Sequence, residues 1–208
     1  MFYSSNPSQA LRFGDVVQGY VAATPTLKSP LATTEEESYT LVIQRPFLLS
    51  ILSPCCSISD KLLLLAPLIQ VRGAFFDNPY FAADLTRLNR PMSPEQSLPP
   101  VAWENLPPDE KTKRMAQGES YAFLELFIYE SHDLFPHYSV HRKAGNIETS
   151  VYMIDFRHAF RLNCDRVISP AAAPLESKRL ELSVETRSQL REKISHFYRR
   201  VPAEDLVA

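Results

Sequence analysis

Short apolar runs broken by prolines and polar clusters fill the first third of the chain. The stretch 14–24 (GDVVQGYVAAT) is rich in valine, tyrosine and alanine and ends at Pro25, which predicts a strand. A threonine- and proline-bearing segment with three consecutive glutamates (24–38) follows as a loop. Residues 39–45 (YTLVIQR) alternate as a strand does, Pro46 interrupts, and the nearly all-apolar 47–53 (FLLSILS) predicts a strand buried on both faces. Pro54 and the adjacent Cys55-Cys56 make a turn, after which 61–71 (KLLLLAPLIQV) predicts a fourth strand, with Pro67 confining it to an edge or bulge. Four short strands at roughly regular spacing argue for a small barrel or sandwich.

The period then changes. Over 77–91, Asn78 is a good N-cap, Pro79 suits the first helical position, and Phe81, Leu85 and Leu88 recur at i, i+4 and i+7, so a short amphipathic helix is expected. Six prolines (Pro91, Pro94, Pro99, Pro100, Pro107, Pro108) crowd the next eighteen residues, which predicts an extended connection carrying the single tryptophan, Trp103. Residues 108–118 read as one or two turns of exposed helix, acidic first and basic later, ended by Gly118. In 120–130 both alternating faces are apolar or aromatic, so this strand must be covered on both sides. A hairpin around Ala144-Gly145-Asn146 (137–156) and a last strand (158–169) follow. The clearest helix is 182–202, capped by Ser183, with Leu190, Ile194, Phe197 and Val201 as its seam and Pro202 as its stop.

The expected fold is therefore α+β and predominantly β: an SH3-like small barrel elaborated by a second group of antiparallel strands, with a C-terminal helix. Residues 1–169 are read as one elaborated domain, with barrel core 12–72, helical and proline-rich insertion 77–118 and further strands 119–169. A linker (170–178) then leads to a terminal helical segment (179–208) packed on the domain or on a partner.

Composition narrows the function classes. The 208 residues suffice for a core without staples, and 45% hydrophobic with 22% charged residues excludes disordered and fibrous classes. Lys plus Arg at 22 against Asp plus Glu at 24 is too balanced for general DNA binding driven by counterion release. No run reaches the roughly eighteen apolar residues of a membrane helix, and the start lacks a basic-then-apolar leader, so a cytoplasmic chain without membrane contact is expected. Three cysteines, two of them adjacent, make a poor disulfide framework.

The candidate chemistry is sparse. Cys55 and Cys56 diverge in any regular backbone, so a zinc site would need Cys164 or His137 beside one of them. As a nucleophile, either would need a base from elsewhere in the fold, and the plainest reading is of small buried side chains closing a strand end. His132, His137 and His141 are spaced for a loop running into a strand, where His137 and His141 stand about 13 Å apart, too far to share a metal. With five glycines and no phosphate-cradling loop, G-x-S-x-G or H-E-x-x-H, nucleotide hydrolases, α/β-hydrolases and zincins fall away. No cofactor is expected.

Three short stretches resemble strands of the PemK/MazF-like bacterial toxins: RFGDVV (12–17), RPFLLSILSP (45–54) and LLLLAPLIQV (62–71). The resemblance implies an SH3-like barrel and, in active members, metal-independent endoribonuclease activity from an arginine with a nearby acid or hydroxyl at the barrel rim. Arg72 is the nearest counterpart of that arginine, with Asp77 and Arg45 as companions, while Ile69 stands where the group has threonine. Two expectations follow. One is a non-catalytic interaction or scaffold subunit of a bacterial multi-protein system linked to toxin or phage-defence functions, with protein partners. The other is a ribonuclease acting on RNA through Arg72, Asp77 and Arg45. Near-neutral charge, the two-faced aromatic strand and the final helix favour the first.

Overall fold

The computed structural model describes residues 1–8, 10–27, 39–59, 62–90, 98, 100–116, 123–163 and 178–199. The strands are β1 (Val16–Val17), β2 (Ala22–Leu27), β3 (Tyr39–Gln44), β4 (Leu49–Ile51), β5 (Leu62–Pro67), β6 (Ile69–Gln70), β7 (Leu126–Tyr129), β8 (Tyr138–Val140), β9 (Ile147–Thr149), β10 (Tyr152–Asp155), β11 (Phe160–Asn163) and β12 (Lys178–Leu180). The helices are α1 (Cys55–Ser59), α2 (Gly73–Asp77), α3 (Pro79–Ala82), α4 (Pro100–Glu104), α5 (Pro108–Ala116) and α6 (Val184–Tyr198), with 3-10 turns at Leu85–Asn89 and Phe156–His158. Strand exceeds helix as a mixed α+β fold, and every described strand pair is antiparallel. Two compact units are formed, one from Asn6–Leu68 with Ala159–Glu181, the other from Met1–Ser5, Ile69–His158 and Leu182–Ala208.

The first unit holds a five-stranded sheet in the order β11-β5-β4-β1-β12 and a separate two-stranded ribbon, β2-β3. The leucine run works by alternation: Leu63 and Leu65 are fully buried, Leu62 and Leu64 only in part. With Leu11, Val17, Leu49, Ile51 and Ile58 they form one core. Ser53 ends β4 by side-chain bonding, its hydroxyl accepting from the Leu64 N–H and donating to the Leu62 carbonyl. Of the strands expected to close as a barrel, β1, β4 and β5 lie, among the described residues, in an open sheet whose edges are β11 and β12, whereas β3 lies in the separate ribbon.

In the second unit a three-stranded sheet, β6-β10-β7, packs through Val71, Phe75, Phe81, Leu88, Leu126, Ile128 and Met153. Every residue of β7 is buried, as its two apolar faces require. Asn89 is buried and bonds both ways to Ile128, donating to its carbonyl at 2.8 Å and accepting from its N–H at 2.6 Å. The β8-β9 hairpin is anchored by the Tyr138 hydroxyl, which accepts from the Val71 N–H at 2.8 Å and donates to the Val151 carbonyl. Burial pushes this phenol up to about 12. Gly145 turns the hairpin at a φ of 106°, a backbone conformation that suits glycine.

Several expectations are corrected. The stretch 61–71 is two strands parted at Leu68, whose N–H bonds the Leu48 carbonyl, and β5 and β6 belong to different units. The 14–24 strand is also two, β1 and the start of β2, parted near Gly19 at a φ of 93°. The cysteine turn is the helix α1. The helix expected over 77–91 is a short α-turn followed by a 3-10 turn, although its stripe holds: Phe81 and Leu88 are buried and Leu85 packs against them. The proline-rich connection contains α4, because Pro100 occupies a first-turn position where its missing N–H costs nothing, and it buries Trp103. Pro79 and Pro108 open α3 and α5 in the same way. On α6, Leu190 lines the buried face as expected, but Lys193 shares that face. Val201 lies outside the described residues.

Gly73 opens α2 under tight backbone. A methyl there would lie 2.2 Å from the His141 carbonyl oxygen, which is main chain and cannot swing away. Gly73→Ala is expected to cost about 1–3 kcal/mol, read as a lowered urea midpoint at unchanged slope. A midpoint equal to wild type would disprove the close approach.

Candidate functional site

Arg72 is exposed immediately before α2, its carbonyl accepting from the Phe75 N–H. Asp77 closes the same helix, and its Oδ1 accepts from the Lys143 N–H at 3.0 Å, so the carboxylate holds the loop after β8. Arg45 is exposed just after β3 and belongs to the other unit. Cys56 is exposed, against the expectation of a packing residue, because on α1 it is Ile58 that turns into the core. The Cys55 side chain and Cys164 lie outside the described residues. His137 is exposed ahead of β8. Among the described residues no group of three or more histidines, cysteines or carboxylates is placed to hold a metal ion.

A cleft of about 340 Å³ in the second unit is lined by Asp84, Asn89, Arg90, Glu130, Glu185 and residues of both chain segments beside them. Two of its polar side chains are already employed. Asp84 caps the 3-10 turn by accepting from the Thr86 N–H at 2.9 Å and hydroxyl at 2.6 Å, and Asn89 is spent on Ile128. Burial and the neighbouring Asp84 push the Glu130 carboxyl up, while backbone bonding and Ser183 at the start of α6 draw Glu185 down.

A second polar cluster escaped sequence reasoning. Asp155, at the end of β10, is fully buried and receives Arg157 through Nε at 2.9 Å and Nη2 at 2.6 Å, with His158 Nδ1 at 3.3 Å. Burial acts to raise its carboxyl, but the guanidinium outweighs this and holds it below the usual range. Glu125 lies 3.9 Å from Arg157. Lys193 is 2% exposed on α6, and its burial drives the ammonium down to about 7, opposed by the Glu125 charge. The D-x-R-H spacing of 155–158 was the one available signal; a lysine on an apolar helix face gives none.

The most unusual surface belongs to the β2-β3 ribbon. Ile43 stands opposite Ala23 and Val42 opposite Thr24, so the two side chains point to opposite faces, yet they are 57% and 42% exposed. Val21 and Phe47, flanking the same end of the ribbon in sequence, are exposed too. Among the described residues, then, neither face of the ribbon is covered at this point, and no third strand pairs with it. Apolar groups on both faces of an isolated ribbon suit recognition through the backbone edge and through side chains together. Compared with family models, curated proteins and solved structures, the chain matches none.

Proposed function

We propose that the chain is a non-catalytic interaction module of a multi-protein system, with the β2-β3 ribbon as its docking element and the five-stranded sheet as its scaffold. The observation that supports this reading is the exposure of Val42 and Ile43 on opposite faces of a ribbon that stands outside the larger sheets. A two-stranded ribbon is marginal in water on its own. Ile43 and Phe47 are each 57% exposed, so covering the rest of either would return about 1–1.5 kcal/mol, which favours burial of this surface.

Recovery from the native host tests the reading. Wild type is expected to come down with a stoichiometric protein partner, and Ile43→Lys with Phe47→Lys to lose it while keeping the wild-type unfolding temperature. Recovery of the wild type always alone would sink the proposal. The same preparation is expected to leave RNA intact. Cleavage by wild type that Arg72→Ala abolishes would overturn the non-catalytic reading.

A further inference from the structure

The geometry points to a covalent cross-link within the first unit: an amide between Lys178 Nζ and Asp15 Cγ, formed with loss of water and assisted by Glu181. This modification is independent of what the ribbon binds.

Lys178 on β12 stands opposite Val17 of β1, the register of the pair shifting between Val16 and Val17, and Asp15 immediately precedes β1. The lysine Nζ lies 2.8 Å from Asp15 Oδ2 and 2.8 Å from Glu181 Oε2, and the three side chains are 7%, 0% and 6% exposed. An amine bonded to a carboxyl oxygen in this way stands about 3–3.5 Å from the carboxyl carbon, a near-attack separation. The Ser8 and Ala10 carbonyls accept from Nζ at 2.8 Å and fix its position.

The two oxygens of Asp15 are not equivalent. Oδ2 also accepts from the Arg12 N–H at 2.8 Å, whereas Oδ1 is buried and has no hydrogen-bond partner among the described residues. Burial raises this carboxyl from 3.8 to about 6, which brings its neutral, electrophilic form within reach near neutral pH, with the proton on Oδ1.

In the step itself, the Lys178 ammonium gives a proton to the Glu181 carboxylate and the neutral Nζ attacks Cγ of protonated Asp15. The C–N bond forms and negative charge gathers on Oδ2, facing the Arg12 N–H. Glu181 delivers its proton to Oδ1, the Cγ–Oδ1 bond breaks with its electron pair leaving as water, and the excess proton on nitrogen returns to Glu181. Nothing is oxidised or reduced. Desolvation burdens the ion pair, which is the state before reaction, whereas the amide is neutral and the water escapes, so burial favours the product.

Intact-mass spectrometry of the full chain, held near pH 6, is expected to show a mass one water below that of the sequence. A protease digest should contain a branched peptide joining the segments of Asp15 and Lys178. Lys178→Arg should keep the full mass of its sequence, and Glu181→Gln should slow the loss of water about a hundredfold. Asp15→Asn keeps the same shape and should lose ammonia instead, ending at the mass of the wild-type product. A wild type that stays at its sequence mass would sink the inference. So would loss of water with Lys178 unbranched, the mark of a cyclic imide at Asp15.

Discussion

Replacing Lys178 with methionine is expected to cost the first unit about 3–5 kcal/mol, the penalty of leaving a buried charge without its partner. The lysine Nζ lies 2.8 Å from Asp15 Oδ2 and 2.8 Å from Glu181 Oε2, and donates to the Ser8 and Ala10 carbonyls at 2.8 Å. Asp15 is fully buried and Glu181 nearly so. The cluster ties Ser8, Ala10, Arg12 and Asp15 to the β12 segment, with the Ser8 N–H also bonded to Glu181 at 2.7 Å and the Arg12 N–H to Asp15 at 2.8 Å. Methionine keeps the volume but strands two carboxylates. Arg12 lies 3.9 Å from Glu181.

The pH dependence of that loss identifies its origin. Burial pushes Asp15 from 3.8 up to about 6, against the pull of Lys178. A carboxyl raised in the folded state binds its proton more tightly there. Its contribution to stability is complete below about pH 3.8 and lost as pH rises through about 6. Without Lys178 the penalty on ionised Asp15 grows, so urea unfolding should show a larger deficit for the variant at pH 7.5 than at pH 5. An equal deficit at both values would mean that the lysine acts through packing alone.

What the sequence discloses here is mostly local. Ser183, the Leu190 face and Gly145 mark α6 and the β8-β9 hairpin, because caps, periodicity and turn glycines act within a few residues. The two apolar faces of β7 similarly announce its burial. What escapes is non-local. β12 is three residues, Lys178 to Leu180, with no period to read, and becomes a strand only because β1, far away in sequence, pairs with it. The division into two units passes between Leu68 and Ile69 inside one apolar run, and periodicity cannot see which sheet each half joins. The site residues fare the same way. Arg72 and Asp77 bracket one short helix, Arg72 just before it and Asp77 at its end, while Arg45 falls in the other unit. β3 was legible as a strand, but exposure on both of its faces is a property of the fold.

Lys193→Met should stabilise the second unit at neutral pH, by up to about 4 kcal/mol for the difference between an ordinary ammonium and one held near 7. The side chain projects from α6 into the interior near Glu125, on the helix that also brings Phe197 to 5.6 Å from Phe156. In the unfolded chain it titrates near 10.5, in the fold near 7. Between those values the unfolded chain holds one proton more, so stability climbs with pH. The stability is complete above about 10.5 and lost as pH falls to about 7, where the penalty is full. Wild type is thus expected to gain urea resistance from pH 7 to pH 10, and the methionine variant to begin higher and lack that rise. The variant leaves Glu125 with Arg157 at 3.9 Å, so the carboxylate keeps a cation and the gain from removing a buried ammonium is not offset by a stranded charge. Parallel pH profiles for the two proteins would show instead that water reaches Lys193 and that α6 holds it at no cost.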